Sequence, residues 1–494
     1  MKKNPEFPEI LVAQSSASAG TGQCDCDCDC ACAETGFALG QSPLQETFRW
    51  QKASSLVNLP VSPTHNAIFN PDLPVSIAYC NQSARQILDA MEQDHSLSDL
   101  ACRFPNIPQA QIKHSLEVLA SLNLVASGDK PSASAAPKQA PMLTAWLHLT
   151  DRCNLRCDYC YLPHHREDMS IATGKAAIDV VFRSARKYDY ERIKLKYAGG
   201  ETLLRSRELL ELHAYASLLS EQQNIALDGV VLTNGTLLTP ALAAELKAHR
   251  LRLMISLDGL GNLHDTQRHY AEGRSSFADV QHGIHAALEA DIKPDISITI
   301  SSRNAHGLAE LLEWILNLDL PFSINFYREN DLSVSQATLA LDDEKIVTGM
   351  RSAFKVIEKH LPHRSLLASV LDRTNLSAPH VKTCSVGSDY LVFDQHGRVA
   401  QCQMLMNRPV GNVQNEDPLS LVRKQTAGIQ NLSVLNKQGC DQCQWRHWCT
   451  GGCPLATYRS SGSYDQKSPN CHIYQALFPD VVRLEGLRLL KYRQ

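Results

Sequence analysis

Cysteine spacing constrains this chain more than any other feature. Ten of its 17 cysteines fall into two spaced sets, Cys153/Cys157/Cys160 and Cys384/Cys402/Cys440/Cys443/Cys449/Cys453/Cys471. The first set lies in Leu149-Thr-Asp-Arg-Cys-Asn-Leu-Arg-Cys-Asp-Tyr-Cys-Tyr161, directly after the strand-like run Leu143 to Leu149, so its thiols sit on a loop leaving a strand. Three cysteines this close can all reach one cuboidal iron–sulfur cluster. A [4Fe–4S] cube normally takes four protein thiolates, so a triad without a fourth protein ligand leaves one iron open to a substrate. The alternative is a closed, four-coordinate zinc site, with His164 or His165 as the missing ligand.

The C-x3-C-x2-C pattern, with Tyr159 just before its last cysteine, resembles the signature of the radical S-adenosylmethionine (SAM) superfamily, and later segments follow that superfamily in order. Tyr197-Ala-Gly199-Gly200-Glu201 resembles the Gly-Gly-Glu element that holds the methionyl amino group. Thr202 replaces the proline usual after it, which alters the turn's rigidity more than its chemistry. Asn234, Ser256 and Asp258, at the ends of apolar runs, match positions that contact ribose or the methionyl carboxylate. His264-Asp265 and Arg268 match a His-Asp-x-x-Arg segment of the peptide- and protein-modifying branch. From Leu143 to about Asn330, short apolar runs alternate with helical stretches at Ile171 to Tyr188, Arg207 to Glu221, Pro240 to Arg250, Ser276 to Ala290 and Ala305 to Leu318. Such alternation implies an α/β fold with a parallel sheet, whose ligands bind at the carboxyl ends of the strands. The resemblance narrows this to a partial (β/α)6 barrel. Its last strands would be Ser297 to Ile300 and Phe322 to Tyr327, followed by Arg328, a surface arginine or a substrate contact.

The second cysteine set resembles the SPASM extension, the C-terminal auxiliary-cluster domain of radical SAM enzymes acting on peptides and proteins. By that resemblance, Cys440, Cys443, Cys449 and Cys471 close one auxiliary [4Fe–4S] cluster and Cys384, Cys402 and Cys453 hold another. Tyr390 stands where some relatives have an eighth cysteine, so the second cluster has an open iron or another ligand. A four-cysteine zinc site at Cys440 to Cys453 is the competing reading. A disulfide framework suits a secreted chain, and Met1-Lys-Lys is not followed by a signal-type apolar run.

Residues 51–126 form a different module. His65 to Phe69 and Val75 to Tyr79 read as strands, Ser83 to Met91, Ser96 to Arg103 and Gln109 to Leu122 as helices, and Asn123 to Val125 as a final strand. Ile112, Leu116, Leu119 and Leu122 share one helix face. The pattern resembles the winged-helix-like PqqD domain, a RiPP recognition element that adds a leader peptide to a sheet edge. Few Lys or Arg fall here, against a nucleic-acid surface, and Cys80 and Cys102 are expected to be buried small apolar residues. Residues 127–142, rich in Pro, Ala and Ser, read as a flexible linker. Residues 1–50 read as a disordered tail carrying Cys24, Cys26, Cys28, Cys30 and Cys32, which an extended chain would place on one face. The tail is open to reading as a tail of no catalytic importance, a metal donor, a redox tail or a mimic of a cysteine-rich substrate.

The remaining divisions are the barrel at 143–335, bridging helices at 336–380, the auxiliary domain at 381–475 and a C-terminal helix at 476–494. A net charge of −4 gives no sign of a nucleic-acid partner, and no run approaches the ~20 apolar residues of a membrane span. Clusters and free thiols imply the cytoplasm. The expectation is a radical SAM oxidoreductase with three [4Fe–4S] clusters and SAM as cofactors, in which a 5′-deoxyadenosyl radical installs a thioether or carbon-based crosslink on a precursor peptide. An external low-potential donor of flavodoxin or ferredoxin type would supply the electron. Asp394 and Tyr390 lie in the segment where a base is sought. The rivals are a protein-modifying enzyme, of sulfatase formylglycine or subunit-crosslinking type, and a non-catalytic iron–sulfur peptide-binding scaffold.

Overall fold

The computed structural model describes residues 7–12, 48–127, 142–333, 337–365, 367, 370–372, 374, 376, 379–424 and 428–493. Most of the expected tail, including its five cysteines, and residues 128–141 of the expected linker lie outside them.

The small module has strands β1 (Ile10–Val12), β2 (Arg49–Lys52), β3 (Val57–Pro60), β4 (His65–Phe69), β5 (Ala78–Asn81), β6 (His95–Ser96) and β7 (Val125–Ser127). They form a sheet of order β1-β5-β4-β3 and a smaller one of order β6-β2-β7. Helices Gln82–Ala90, Leu97–Arg103 and Gln109–Ser121 match the expected three. Asn81 starts the first by accepting from the Ala84 N–H, and Ser96 with Asp99 forms a capping box on the second. Three readings change. The second expected strand begins at Ala78 rather than Val75, since Pro74 removes a backbone donor just ahead of it. Residues 7–12 are not tail, because Ile10–Val12 is an ordered strand. Cys80 is fully buried, whereas Cys102 is exposed.

Period-two alternation divides the larger sheet between two cores. Ala67, Phe69 and Tyr79 join the main hydrophobic core, while Ile68, Ala78 and Cys80 join the module's own. The module therefore sits firmly on the rest of the chain, not loosely on a tether. Phe69 packs on Trp445 and Trp448 at centroid distances of 5.2 and 4.7 Å, and Arg446 pairs with Asp72 at 2.7 Å.

Strands β8 (Met142–His148), β9 (Arg192–Ala198), β10 (Ala226–Thr233), β11 (Leu251–Ser256), β12 (Asp295–Ile300) and β13 (Phe322–Phe326) run parallel in sequence order. Helices Ile171–Lys187, Ser206–Gln223, Pro240–Ala248, Phe277–Glu289 and Leu308–Asn317 cross over between them, as the alternation required. The sheet continues past β8 into β14 (Tyr390–Phe393), β15 (Arg398–Ala400) and β16 (Gly411–Asn412), β14 pairing parallel to β8. The auxiliary region thus extends the barrel sheet. Of the bridging helices expected over 336–380, only Asp343–His360 is a long one among the described residues. The last helix, Cys471–Lys491, begins five residues before the expected boundary at 476, with a cysteine as its first residue.

Candidate functional site

The carboxyl ends of the barrel strands surround one cavity with about 1190 Å³ of free space, its open mouth included. Trp146 comes from β8, Ala198 from β9, Thr233 from β10, Ser256 from β11, Thr299 from β12 and Asn325 from β13. Cys153, Cys157 and Cys160 line it, with Tyr159, Gly199, Gly200, Asn234 and Arg268. Of the eleven cluster and SAM-site residues picked from the barrel sequence, nine line this cavity, and the other two, Glu201 and Asp258, are buried just behind the wall.

The cysteine loop is held by backbone contacts that glycine alone permits. Gly200 N–H donates to Thr150 O at 2.7 Å and Glu201 N–H to Arg152 O at 2.8 Å. A Cβ on Gly200 would lie 2.2 Å from Arg152 O, and Gly199, at φ +154°, has Thr150 O at 2.5 Å from its Cβ position. The close approach expected toward a ligand is therefore also an approach to the loop that carries the thiols. Glu201 is engaged within the chain: Oε1 accepts from Thr233 Oγ1 (2.6 Å) and Leu203 N (2.9 Å), and Oε2 from Asn234 N (2.7 Å). Burial raises its pKa against those donors.

Asp258 orients the opposite wall. Its Oδ2 accepts from Tyr159 Oη (2.5 Å) and Gln267 Nε2 (3.2 Å), and Oδ1 from Thr299 N (2.7 Å). Arg268 donates through Nη1 to the same Tyr159 oxygen. Its Nε has no hydrogen-bond partner among the described residues, which leaves a cationic donor beside the cavity. His264 and Asp265 act behind it. The His264 ring sits between Asp258 N–H (3.3 Å) and Ser276 Oγ (3.1 Å), and Asp265 accepts from the N–H groups of Ser276 and Phe277. Arg328 is not a surface residue: its side chain is 12% exposed, pairs with Asp372 at 2.7 Å and lines the cavity. His164 also lines it, with burial lowering its pKa to about 4; His165 does not.

Two further groupings account for the second cysteine set. Cys440, Cys443, Cys449 and Cys471 all line one small cavity together with Trp445, Tyr474 and Phe478. Cys384, Cys402 and Cys453 share a separate apolar cluster with Trp146, Tyr390 and Leu405. Tyr390 is fully buried and donates to Gln403 Oε1 at 3.0 Å. Asp394 is spent on the hairpin between β14 and β15, where it pairs with Arg398 at 2.5 Å, so it does not face the cavity. Lys437 was not picked from the sequence. It is 1% exposed, donates to Thr450 O at 2.9 Å, and feels Cys440, Cys449, Cys384 and Cys453 electrostatically. Its position three residues before Cys440 was the available signal.

The donor sets fit iron–sulfur clusters. Burial raises the pKa of Cys153 and Cys157 and pushes Cys160 and Cys449 up to about 12 and Cys440 to about 11, so a metal must draw off these protons. N–H groups already aim at sulfur, with Leu155 N 3.4 Å from Cys153 Sγ and Trp445 N 3.5 Å from Cys443 Sγ. The unpartnered Arg268 Nε suits the carboxylate of SAM.

Among known proteins, the chain is similar to the AdoMet-dependent heme synthase of Methanosarcina barkeri, 25% identical over 364 residues that cover 68% of this chain and 97% of that protein. It is also similar to the cysteine-type anaerobic sulfatase-maturating enzyme of Clostridium perfringens, 21% identical over 350 residues, covering 66% and 92%. The solved structure of native anSMEcpe with bound AdoMet and Cp18Cys peptide shares the fold, with TM-score 0.57 and 18% identity over 70% of this chain and 99% of that one. No helix among the described residues is long and apolar enough to cross a membrane. Residues 147–315 match the Radical SAM superfamily, and with the strand-end cavity and its three thiols this stretch is a radical SAM domain that takes SAM and an iron–sulfur cluster as cofactors.

Proposed function

We propose that this protein is a radical SAM/SPASM maturase that installs a crosslink on a peptide held by its N-terminal module. The observation that carries the reading is the convergence of Cys153, Cys157 and Cys160 with Tyr159, Arg268 and Ser256 on one cavity at the carboxyl ends of the barrel strands. Cys153, Cys157 and Cys160 would hold the first cluster, Cys440, Cys443, Cys449 and Cys471 a second, and Cys384, Cys402 and Cys453 a third. Bound there, cluster and SAM supply reductive cleavage and hydrogen abstraction, the hard chemistry that a cofactor brings.

The chain's own residues bind and orient. Arg268 meets the carboxylate of SAM, Glu201 fixes the Gly199–Gly200 turn against the cysteine loop, and Asp258 holds Tyr159 and Arg268 at their angle. Trp146, Phe326 and Met404 line the cavity with apolar surface that keeps water from the reacting atoms. Lys437 offsets the negative charge of the auxiliary thiolates. The sulfatase-maturating similarity supports action on a polypeptide, and the small sheet module favours a peptide with a recognition segment over a folded sulfatase. A low-potential flavodoxin or ferredoxin would deliver the electron.

Anaerobic reconstitution with SAM and dithionite tests this reading. Expected are about twelve irons per chain, as three four-iron clusters require, and release of 5′-deoxyadenosine. Full clusters without SAM cleavage would establish a scaffold instead.

A further inference from the structure

Resting on that reading, we infer that the buried Arg328–Asp372 pair orders the potentials of the two auxiliary clusters, its cation turned toward the three-cysteine group and its anion, through Tyr474, toward the four-cysteine group. The surplus electron of the crosslinking step then comes to rest on the three-cysteine side.

The pair has a fixed direction. Arg328 lies two residues past β13 and lines the barrel cavity. Its Nη2 donates to Asp372 Oδ1 at 2.7 Å, and the same oxygen accepts from Phe326 N at 2.9 Å. The other oxygen, Oδ2, accepts from Tyr474 Oη at 2.6 Å. Tyr474 lines the four-cysteine cavity, and its ring stacks on Phe326 at 5.8 Å and 6°, which fixes where its hydroxyl points.

Electrostatics follow the same line. Burial opposes the charge on Arg328, while Asp372, the Cys453 thiol and Tyr474 raise its pKa. Burial raises the pKa of Tyr474; Asp372 adds to this, Arg328 opposes it, and Cys449 adds again. The cation is thus felt by a cysteine of one group, and the anion lies against a neighbour of the other. Lys437 makes no such difference, since it feels thiols of both groups and shifts both together.

Stability alone is a poor account of the pair. Its side chains are 12% and 1% exposed, and a buried ion pair is commonly no better than apolar side chains of the same volume. Asp372 also sits at φ +40°, a left-handed conformation that costs free energy in a residue other than glycine and recurs at functional sites. Three donors on that carboxylate hold a charge in place. Buried charges are little screened, and cluster potentials respond to the charge around them. A nearby cation favours the reduced, more negative state, and an anion disfavours it.

The redox step balances. One electron from the first cluster breaks the C5′–S bond of SAM to give methionine, and the substrate carbon's hydrogen goes to 5′-deoxyadenosine. Closure of a thioether then breaks one S–H bond and forms one C–S bond, the proton going to solvent and the surplus electron to the three-cysteine cluster. Gln403 and Met404, directly after Cys402, line the cavity, so this is the group beside the substrate.

The test is a redox titration read by electron paramagnetic resonance on the full reconstituted chain carrying Cys153→Ala, Cys157→Ala and Cys160→Ala, which leaves the two auxiliary clusters. Each signal is assigned by its loss in Cys453→Ala or Cys471→Ala. Expected is a higher midpoint for the three-cysteine cluster. Arg328→Gln with Asp372→Asn removes both charges but keeps hydrogen-bonding groups, and asparagine tolerates the left-handed backbone. In that variant the three-cysteine midpoint should fall and the four-cysteine midpoint rise. The constant for sharing one electron between them should change by about tenfold or more, which is about 59 mV for a one-electron couple. Arg328→Lys, which keeps the cation, should keep the order. Shifts of both midpoints in one direction, an unchanged gap, or a reversed order before the charges are removed would overturn this inference, while deoxyadenosine release by the chain with all its cysteines would leave the maturase reading intact. Iron well below the about eight atoms that two four-iron clusters require would overturn both.

Discussion

At the scale of single residues, the most consequential are those that sequence reading passed over or assigned another role. Gly200 looked like a ligand contact, yet its Cβ position is 2.2 Å from Arg152 O. Gly200→Ala should therefore displace the cysteine loop at a cost of about 1–3 kcal/mol and lower iron retention by the first set, read as iron per chain after gel filtration. Lys437 is a lone lysine in the sequence, and only folding brings the thiols of both auxiliary groups around it. Lys437→Met should lower the auxiliary midpoint potentials by on the order of 100 mV, since a unit charge at ~6 Å and effective dielectric ~20 is worth roughly 3 kcal/mol. An electron-paramagnetic-resonance redox titration reads this directly. Arg268→Lys keeps the charge but loses the planar fork. It should weaken SAM binding by about tenfold or more, the worth of a charged hydrogen bond, with iron content unchanged.

At the scale of elements, the barrel was legible because each strand is a short apolar run closed by a polar residue or glycine, as in Val230 to Gly235 and Leu253 to Gly259. The extension of its sheet was not. Tyr390–Phe393 pairs with a strand some 240 residues earlier, and local pattern carries no information about such a partner. Ile10–Val12 escaped for another reason: three apolar residues beside a low-complexity stretch match no strand template of ordinary length. Asn81 joins these levels, since its side chain caps helix Gln82–Ala90 and also grips residues 7–9. Asn81→Ala should cost about 1 kcal/mol from the cap alone and more in all. Thermal unfolding should fall by a few degrees, with Glu9 losing exchange protection first.

At the scale of the whole molecule, burial of histidine sets an acid limit. Burial lowers the pKa of His148 to about 3 and of His213 to about 4, below the ordinary 6.5. The unfolded chain therefore binds protons that the folded one refuses, and between pH 6.5 and about 4 stability falls as pH falls. Each histidine contributes about 1.4 kcal/mol per pH unit there, so the denaturant midpoint of the apo chain should drop clearly between pH 7 and 5. Glu201 and Asp258, raised by burial, act in the opposite sense nearer pH 4, because the folded chain holds their protons longer.

The last helix, Cys471–Lys491, has a further meaning at this scale. Its first residue belongs to the four-cysteine cavity, and its far end packs Gly486 beneath Tyr79 of the β5 strand. Tyr79 Oη donates to Val482 O at 3.1 Å, and Arg493, just past the helix, pairs with Glu9. A rod of 21 residues, about 30 Å at 1.5 Å each, joins an auxiliary thiol to the segment docked beside it. The helix thus ties the packing of the four-cysteine cavity to that of the sheet edge on which Ile10–Val12 lies, two places that stand far apart in the sequence.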